Sequence, residues 1–283
     1  MNSQNTILVI NAGSSSIKFY LYGISEAREL SPILGGQLEG IGTQHSRLVV
    51  RDAHGQTMTD RQIAPRHAAD VRDAQEVVGT WLSGHLSGSP LAVGHRVVHG
   101  GPDLHTPVLV DDAIIDKLKS YTSLAPLHQP NNLAPIQVIR ERLPALPQVA
   151  CFDTAFHRTH SAVADRYAVP ETMYQEGVHR YGFHGLSYEY VAQRLQRALP
   201  DLKGARSLRL ISGRASRPAP CSTARAWTAP WALPHLKACP WAPARPSGPR
   251  HRALAHGTWH EPRRDPAFSL PRVRAQGPVR HRQ

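Results

Sequence analysis

Four branched apolar residues in a row, Ile7-Leu8-Val9-Ile10, predict a buried strand close to the start of the chain. They run into Asn11-Ala12-Gly13-Ser14-Ser15-Ser16, and residues 17–22 resume a strand pattern. A strand, a small-residue turn and a returning strand predict a β-hairpin. Residues 33–41 and 46–51 read as further short strands. Asp70 is placed to cap a helix over residues 71–82, where apolar residues fall at helical spacing. Residues 91–98 form a strong strand pattern that ends in His99-Gly100-Gly101. Residues 111–121 read as a helix with Asp111 and Asp112 in its first turn. A loop over 125–132 leads to a helix from about 133 to 141, then a buried strand over 148–152. A last helix covers 186–199 and is stopped by Pro200. Strands come first and helices then alternate with strands, which predicts an α/β domain with a mixed sheet flanked by helices. No repeat of fixed period runs through the chain.

In sheets of this kind, ligands gather where loops leave the strand ends. Three polar clusters fall there, at residues 11–16, 96–101 and 153–157. In the first, Gly13 lets the backbone approach a ligand, and Ser14, Ser15 and Ser16 add donors. With Lys18 nearby, these residues suit phosphate oxygens, while the carbonyl oxygen of Asn11 suits a hard cation. The alternative is a plain surface hairpin with a solvated lysine. In the second cluster, Arg96 at a strand end suits bidentate binding of a carboxylate or phosphate; the alternative is an ion pair with a nearby aspartate. In the third, Asp153 directly after a buried strand suits a general base or metal-facing group, or simply a helix N-cap. His184, in Tyr181-Gly182-Phe183-His184-Gly185, sits between glycines and aromatics, as charge stabilisation on a transferring group would require. A structural histidine is the alternative there and at His128. The spacing His157-x-x-His160 suits a zinc pair, but no matching Cys or acidic partner accompanies it.

Charge changes the picture less than its total suggests. The 283 residues carry a formal net charge of +12, which points to nucleic acid or membrane. Residues 1–204, however, hold 18 basic and 19 acidic side chains, against 15 and 2 in residues 205–283. The last segment also holds 12 of the 24 prolines and four of the five tryptophans, so a composition boundary falls near Gly204. The three cysteines form no C-x-x-C pair. No apolar run approaches 18 residues, and the N-terminus lacks a signal-peptide pattern. A cytoplasmic protein without a membrane span is the expectation.

Taken together, N-A-G-S-S-S-I-K-F, H-R-V-V-H-G-G, L-A-P-L-H-Q-P-N-N-L, C-F-D-T-A-F-H and Y-G-F-H-G-L-S-Y resemble, in order, the N-terminal half of the acetate kinase family. The resemblance covers roughly residues 5–204 and implies the ribonuclease H-like mixed sheet of the sugar kinase and actin superfold. It implies reversible phosphoryl transfer from ATP to acetate, giving acetyl phosphate and ADP, with Mg²⁺ or Mn²⁺ as cofactor. By position it makes Asn11 the metal ligand, and Lys18 a phosphate contact within the turn of Gly13, Ser14, Ser15 and Ser16. Arg96 becomes the acyl-carboxylate arginine, with Val98 and Leu127 at the acyl pocket. Asp153 becomes the catalytic aspartate, His184 the transition-state histidine, and His128 a neighbour of the same phosphate. The family resemblance also implies a homodimer, while the confinement of the basic charge to residues 205–283 argues against a nucleic-acid partner. A propionate or butyrate kinase is an alternative, depending on the size of the acyl pocket.

Residues 205–283 carry none of the family's remaining motifs. Their Pro, Arg and Ala richness and lack of apolar periodicity predict a disordered basic tail. A reading-frame shift accounts for them differently. Tryptophan is always TGG, so Trp231-Ala232 and Trp241-Ala242 each contain a glycine triplet in a shifted frame. Extended over residues 227–244, that frame permits V-D-S-T-M-G-F-T-A-L-E-G-L-P-M-G-T-R, which is similar to the family's next motif. The other shift permits family-like segments over 250–258 and 260–276. The expected organisation is therefore a kinase-like domain over 1–204 and a frameshifted remnant over 205–283. A non-catalytic remnant whose tail binds nucleic acid or acidic surfaces is the competing expectation.

Overall fold

A computed structural model describes residues 5–199 and three short strands beyond them. The chain divides into two units, Met1–Leu236 and Lys237–Gln283, and everything described lies in the first. Its centre is an eight-stranded mixed sheet. Strands β1 (Thr6–Ala12), β2 (Ser16–Ile24), β3 (Leu30–Glu39), β4 (Arg47–Asp52) and β5 (Thr57–Gln62) form an antiparallel meander. β6 (Ala92–Val97) then pairs parallel with β1, and β8 (Gln148–Phe152) parallel with β6. The two-residue strand β7 (Val108–Leu109) closes the far edge, giving the order β5-β4-β3-β2-β1-β6-β8-β7.

Alternation along the strands decides the two faces. On β1, Leu8, Ile10 and Ala12 are buried while the residues between them are partly exposed. They join Ile17, Phe19, Leu21, Leu34, Leu38, Leu48 and Val50 in one core with helix α1 (Val71–His85). Asp70 caps α1 as expected, accepting from the Asp73 amide at 2.9 Å. A second core joins Val97, Ala150 and Phe152 to helices α2 (Asp112–Ser120) and α3 (Gln129–Arg142). Asp111 caps α2, accepting from the Ile114 amide, and so stands just ahead of the first turn.

Several elements depart from the sequence expectation. α3 begins at Gln129 rather than near residue 133, because Pro130 occupies a first-turn position where its missing N–H costs nothing. β5 was not predicted: Thr57-Met58-Thr59-Asp60-Arg61-Gln62 has no apolar face, and as an edge strand it needs none. Short helices α4 (Ala162–Asp165) and α5 (Glu171–Gln175) fill the stretch before α6 (Gly185–Ala198). β9 (Arg206–Leu210), β10 (Pro218–Ser222) and β11 (Arg225–Ala226) form a second, antiparallel sheet within the stretch assigned to the tail. The remainder of the tail, with its predicted disorder and shifted-frame segments, lies outside the described residues.

Candidate active site

Three neighbouring parallel strands end side by side, and each delivers one polar residue there. Ile10 pairs with His95, so Asn11 and Arg96 follow at adjacent ends of β1 and β6. Arg96 pairs with Cys151, two residues before Asp153 at the end of β8. Asn11 and Arg96 fall on the alternate positions, away from the face that buries Ile10 and Val97. The backbone at Asp153 is fixed by its amide, which donates to Val97 O at 3.0 Å.

Arg96 grips Asp153 side-on. Its Nε donates to both carboxylate oxygens, at 3.0 and 3.1 Å, and Nη2 donates to Oδ2 at 2.5 Å. Nη1 donates to Asn11 Oδ1 at 3.1 Å, which ties all three strand ends together. Asp153 is only 1% exposed, whereas a third of the Arg96 side chain meets solvent. Burial works against the guanidinium's charge, yet the Asp153 carboxylate more than offsets it and raises the Arg96 pKa. The ion pair anticipated as an alternative is therefore present, and its partner is the other candidate residue. Asp153 does not cap the turn that follows: Thr154 occupies that position, without a side-chain capping bond.

His184 completes the group from the N-cap of α6, its Nδ1 4.0 Å from Asp153 Oδ2. Its backbone is left-handed, with φ 59° and ψ 22°. A side chain in that region costs of order 1–3 kcal/mol, and such residues gather at functional sites. Glycine is required at position 185, because a Cβ there would meet the Asp153 carbonyl oxygen at 2.2 Å.

The turn after β1 is closed by the Gly13 amide donating to Ser16 O at 2.8 Å. Ser14 and Ser15 are exposed and Ser16 is half-buried. A Cβ at Gly13 would meet nothing nearer than 3.8 Å, so the space before its backbone is open. Lys18 is exposed and pairs with Asn11 across the hairpin, which places both on one sheet face. Val98 is half-buried and its amide donates to Asn132 Oδ1 at 2.8 Å. Leu127 is 67% exposed and His128 is also exposed, both just ahead of α3. The structure thus brings Asn11, Arg96, Asp153 and His184 into one cluster and puts Lys18 beside it by register. Leu127 projects into solvent.

Two contributors escaped the list of candidates although the motifs contain them. Asn132 on α3 is buried; its Nδ2 donates to Ala12 O at 2.6 Å while its oxygen takes the Val98 amide. One side chain so joins the ends of β1 and β6. The available signal was a polar residue embedded in an apolar helix face. The other contributor is His157, fully buried, with Nε2 2.9 Å from Phe183 O. The zinc-like spacing with His160 is not used as a pair, since His160 Nε2 turns to Asp165 at 3.1 Å. Among the described residues, no group of three or more His, Cys, Asp or Glu is arranged to hold a metal, and no helix is long and apolar enough to cross a membrane.

Comparison with known proteins identifies the family. Residues 6–214 match the Acetokinase family, past the residue 204 that the motifs reach. The chain is 52% identical over 202 residues to an acetate kinase of Nitrobacter hamburgensis, covering 71% of this chain and 50% of that one. It is 51% identical over 193 residues to an acetate kinase of Rhizobium meliloti, covering 68% and 48%. The chain therefore spans about half the length of the curated relatives it matches. The crystal structure of a propionate kinase from Francisella tularensis superposes with a TM-score of 0.70 at 29% identity, covering 79% of this chain and 56% of that one. That of Porphyromonas gingivalis acetate kinase gives 0.66 at 31% identity, covering 79% and 56%.

Proposed function

The chain belongs to the Acetokinase family, and we propose that the cluster at the ends of β1, β6 and β8 is the acyl side of an ATP-dependent carboxylate kinase acting on acetate. The observation that carries this is the convergence of Asn11, Arg96, Asp153 and His184 at three adjacent strand ends. A carboxylate nucleophile is already an anion at neutral pH, so the reaction needs no base to generate it. A carboxylate oxygen bonds to the γ-phosphorus, the bond to the β-phosphate bridge oxygen breaks, and ADP leaves. What accelerates this is alignment and positive charge.

Arg96 supplies the first. Its side-on edge is taken by Asp153 and one Nη1 hydrogen by Asn11, and the remaining N–H groups, on a side chain one-third solvent-exposed, receive the substrate carboxylate. Asp153 fixes the plane of that guanidinium. His184 faces the same point from the positive end of α6 and meets the charge that accumulates on the phosphoryl oxygens. Lys18 and the turn amides suit the phosphate chain. Val98 borders the acyl group and His128 the phosphoryl side; the exposed Leu127 needs a covering element to form a pocket wall.

Mg²⁺ suits this site. It takes few protein ligands and completes its shell with water and phosphate, so the Asn11 amide oxygen would contribute one ligand, on the lone pair that Arg96 Nη1 leaves open. When bound it neutralises charge on the phosphates. Acetate and ATP are the proposed partners, in a cytoplasmic homodimer, and the distribution of charge favours no nucleic-acid partner. For the residues beyond 214, where the family match ends, we retain the shifted reading frame.

The test is trapping of acyl phosphate as hydroxamate. A gene restored to the family frame is expected to form acetyl hydroxamate from ATP and acetate, and to lose at least 100-fold on Arg96→Ala. The 283-residue chain itself is expected to form little, since the family resemblance puts adenosine binding beyond residue 204. No product from the restored protein overturns the assignment. An unshifted gene sequence, or full activity of the 283-residue chain, overturns the frame reading alone. Faster turnover of propionate than acetate would favour the second reading, which the Francisella tularensis neighbour supports.

A further inference from the structure

His184 adopts a backbone conformation that an L-residue avoids, so something must hold it there. The two peptide groups on either side of it are both bonded to the short turn that follows β8. On one side, the Gly185 amide donates to Asp153 O at 2.8 Å. On the other, Phe183 O receives a bond from His157 Nε2 at 2.9 Å. Asp153 and His157 lie four residues apart around a single 3₁₀ turn, Ala155–Thr159, so one rigid unit carries both contacts.

The fit around that unit leaves no slack. The His157 ring is fully buried, with Phe156 edge-on at 5.4 Å and Tyr188 edge-on at 5.7 Å between centroids. A Cβ at Gly182 would meet that ring at 2.3 Å, and one at Gly185 would meet the Asp153 carbonyl at 2.2 Å. The glycines at 182 and 185 are thus the complement of His157 and Asp153. This explains in steric terms why Gly182-Phe183-His184-Gly185 accompanies Asp153-Thr154-Ala155-Phe156-His157. We propose that His157 is a positioning residue for His184, gripping Phe183 while Asp153 grips Gly185, so that the left-handed turn presents the His184 imidazole to the Asp153 carboxylate.

The chemistry of the ring suits the task. A carbonyl can only accept, so Nε2 must carry the proton, and Nδ1 is left as a buried lone pair with no hydrogen-bond partner. Burial, assisted by His160 and His184, draws the proton affinity of His157 down to about 4 against the Phe183 bond, which works the other way. The imidazole therefore remains a neutral, fixed donor at the pH where a phosphoryl group is transferred. The functional meaning of the clamp rests on the reading of His184 as the group that meets the phosphoryl charge; the clamp itself is measurable without turnover.

The experiment is NMR on the full 283-residue chain with ¹⁵N and ¹³C labels. In the unmodified protein, the His157 ring is expected in the neutral Nε2–H form at pH 7, and a charged or Nδ1–H ring overturns the proposal. The HN–Hα coupling and Cα shift of His184, which read φ, are expected to show the left-handed value. They are expected to lose it in His157→Leu and to keep it in His157→Gln, whose amide reaches the same carbonyl. The shifts of His85, stacked on Trp81 at the end of α1 and outside the clamp, should stay unchanged in both variants. Retention of the left-handed value in His157→Leu, or its equal loss in both variants, overturns the proposal. Should His157→Leu fail to fold, the ring state of the unmodified protein and the His157→Gln spectrum decide it. None of these readings depends on acyl phosphate being formed, so a failure of the kinase assignment leaves them intact.

Discussion

Asp153 is withdrawn almost completely from solvent, and both its oxygens depend on one guanidinium. That makes the pair a stability element as well as a site. Removing Arg96 strands a buried carboxylate, which ordinarily costs 3–5 kcal/mol, and the partial exposure of Arg96 moves the expectation to about 2–4 kcal/mol. Arg96→Met should show this loss in urea denaturation, and adding Asp153→Leu should recover most of it. Equal and additive losses in the two single variants would show that the pair is not coupled. At this scale the sequence offered each residue with two meanings, and only contact could choose between them. For Arg96 the two meanings meet, because the ion-pair partner is itself the second candidate residue. For His184 the added sign is a backbone angle, which no residue pattern spells out.

Helix α3 shows how an element can be read correctly in type and still miss its most consequential residue. His128-Gln129-Pro130-Asn131-Asn132 has loop composition, so the pattern places the helix start four residues late. Those four residues are the useful ones. Gln129 is buried and its Nε2 lies 3.1 Å from both His99 O and Leu118 O, while Asn132 bridges Ala12 and Val98. Asn132→Ala takes this partner from the buried Ala12 carbonyl and the half-buried Val98 amide and should lower stability by about 2–3 kcal/mol. Asn131→Ala, half-buried and with Nδ2 bonded to Leu127 O in its own turn at 3.1 Å, should cost less, about 0.5–1 kcal/mol. Comparable urea midpoints for the two variants would remove the bridging role. The core strands were legible because branched apolar runs have few other uses. β5 was not, since its support comes from the ladder to β4 and the pair between Arg47 and Asp60 at 2.7 Å rather than from burial.

Among the described residues, three of the buried histidines give the fold a direction in pH. Burial lowers His95, His99 and His157 from 6.5 to about 4, with Arg158 adding to the effect at His99. Each is neutral in the folded chain where its unfolded counterpart has already bound a proton. Their contribution is therefore complete above pH 6.5 and is lost as pH falls toward about 4, by roughly 2–3 kcal/mol each. Asp165 adds a second step at lower pH. Its carboxylate receives Arg158, His160, Tyr174 and His179; burial opposes its charge, but these partners prevail and hold its pKa down. Thermal unfolding should be nearly flat from pH 8 to 6.5 and fall steeply from 6 to 4. A melting temperature that rises over that interval would show these rings to be protonated in the folded chain.

The strand order also arranges events in time. β1 to β5 are neighbours both in the chain and in the sheet, so their pairings close short loops. The pairing of β1 with β6 must wait until residues 92–97 exist, that of β6 with β8 until 148–152, and His184 comes later still. A chain emerging from the ribosome holds Asn11 in its earliest hairpin and acquires the other three groups one long interval at a time. The four-residue cluster is complete only once residue 184 has been made, and no product of synthesis shorter than that carries it.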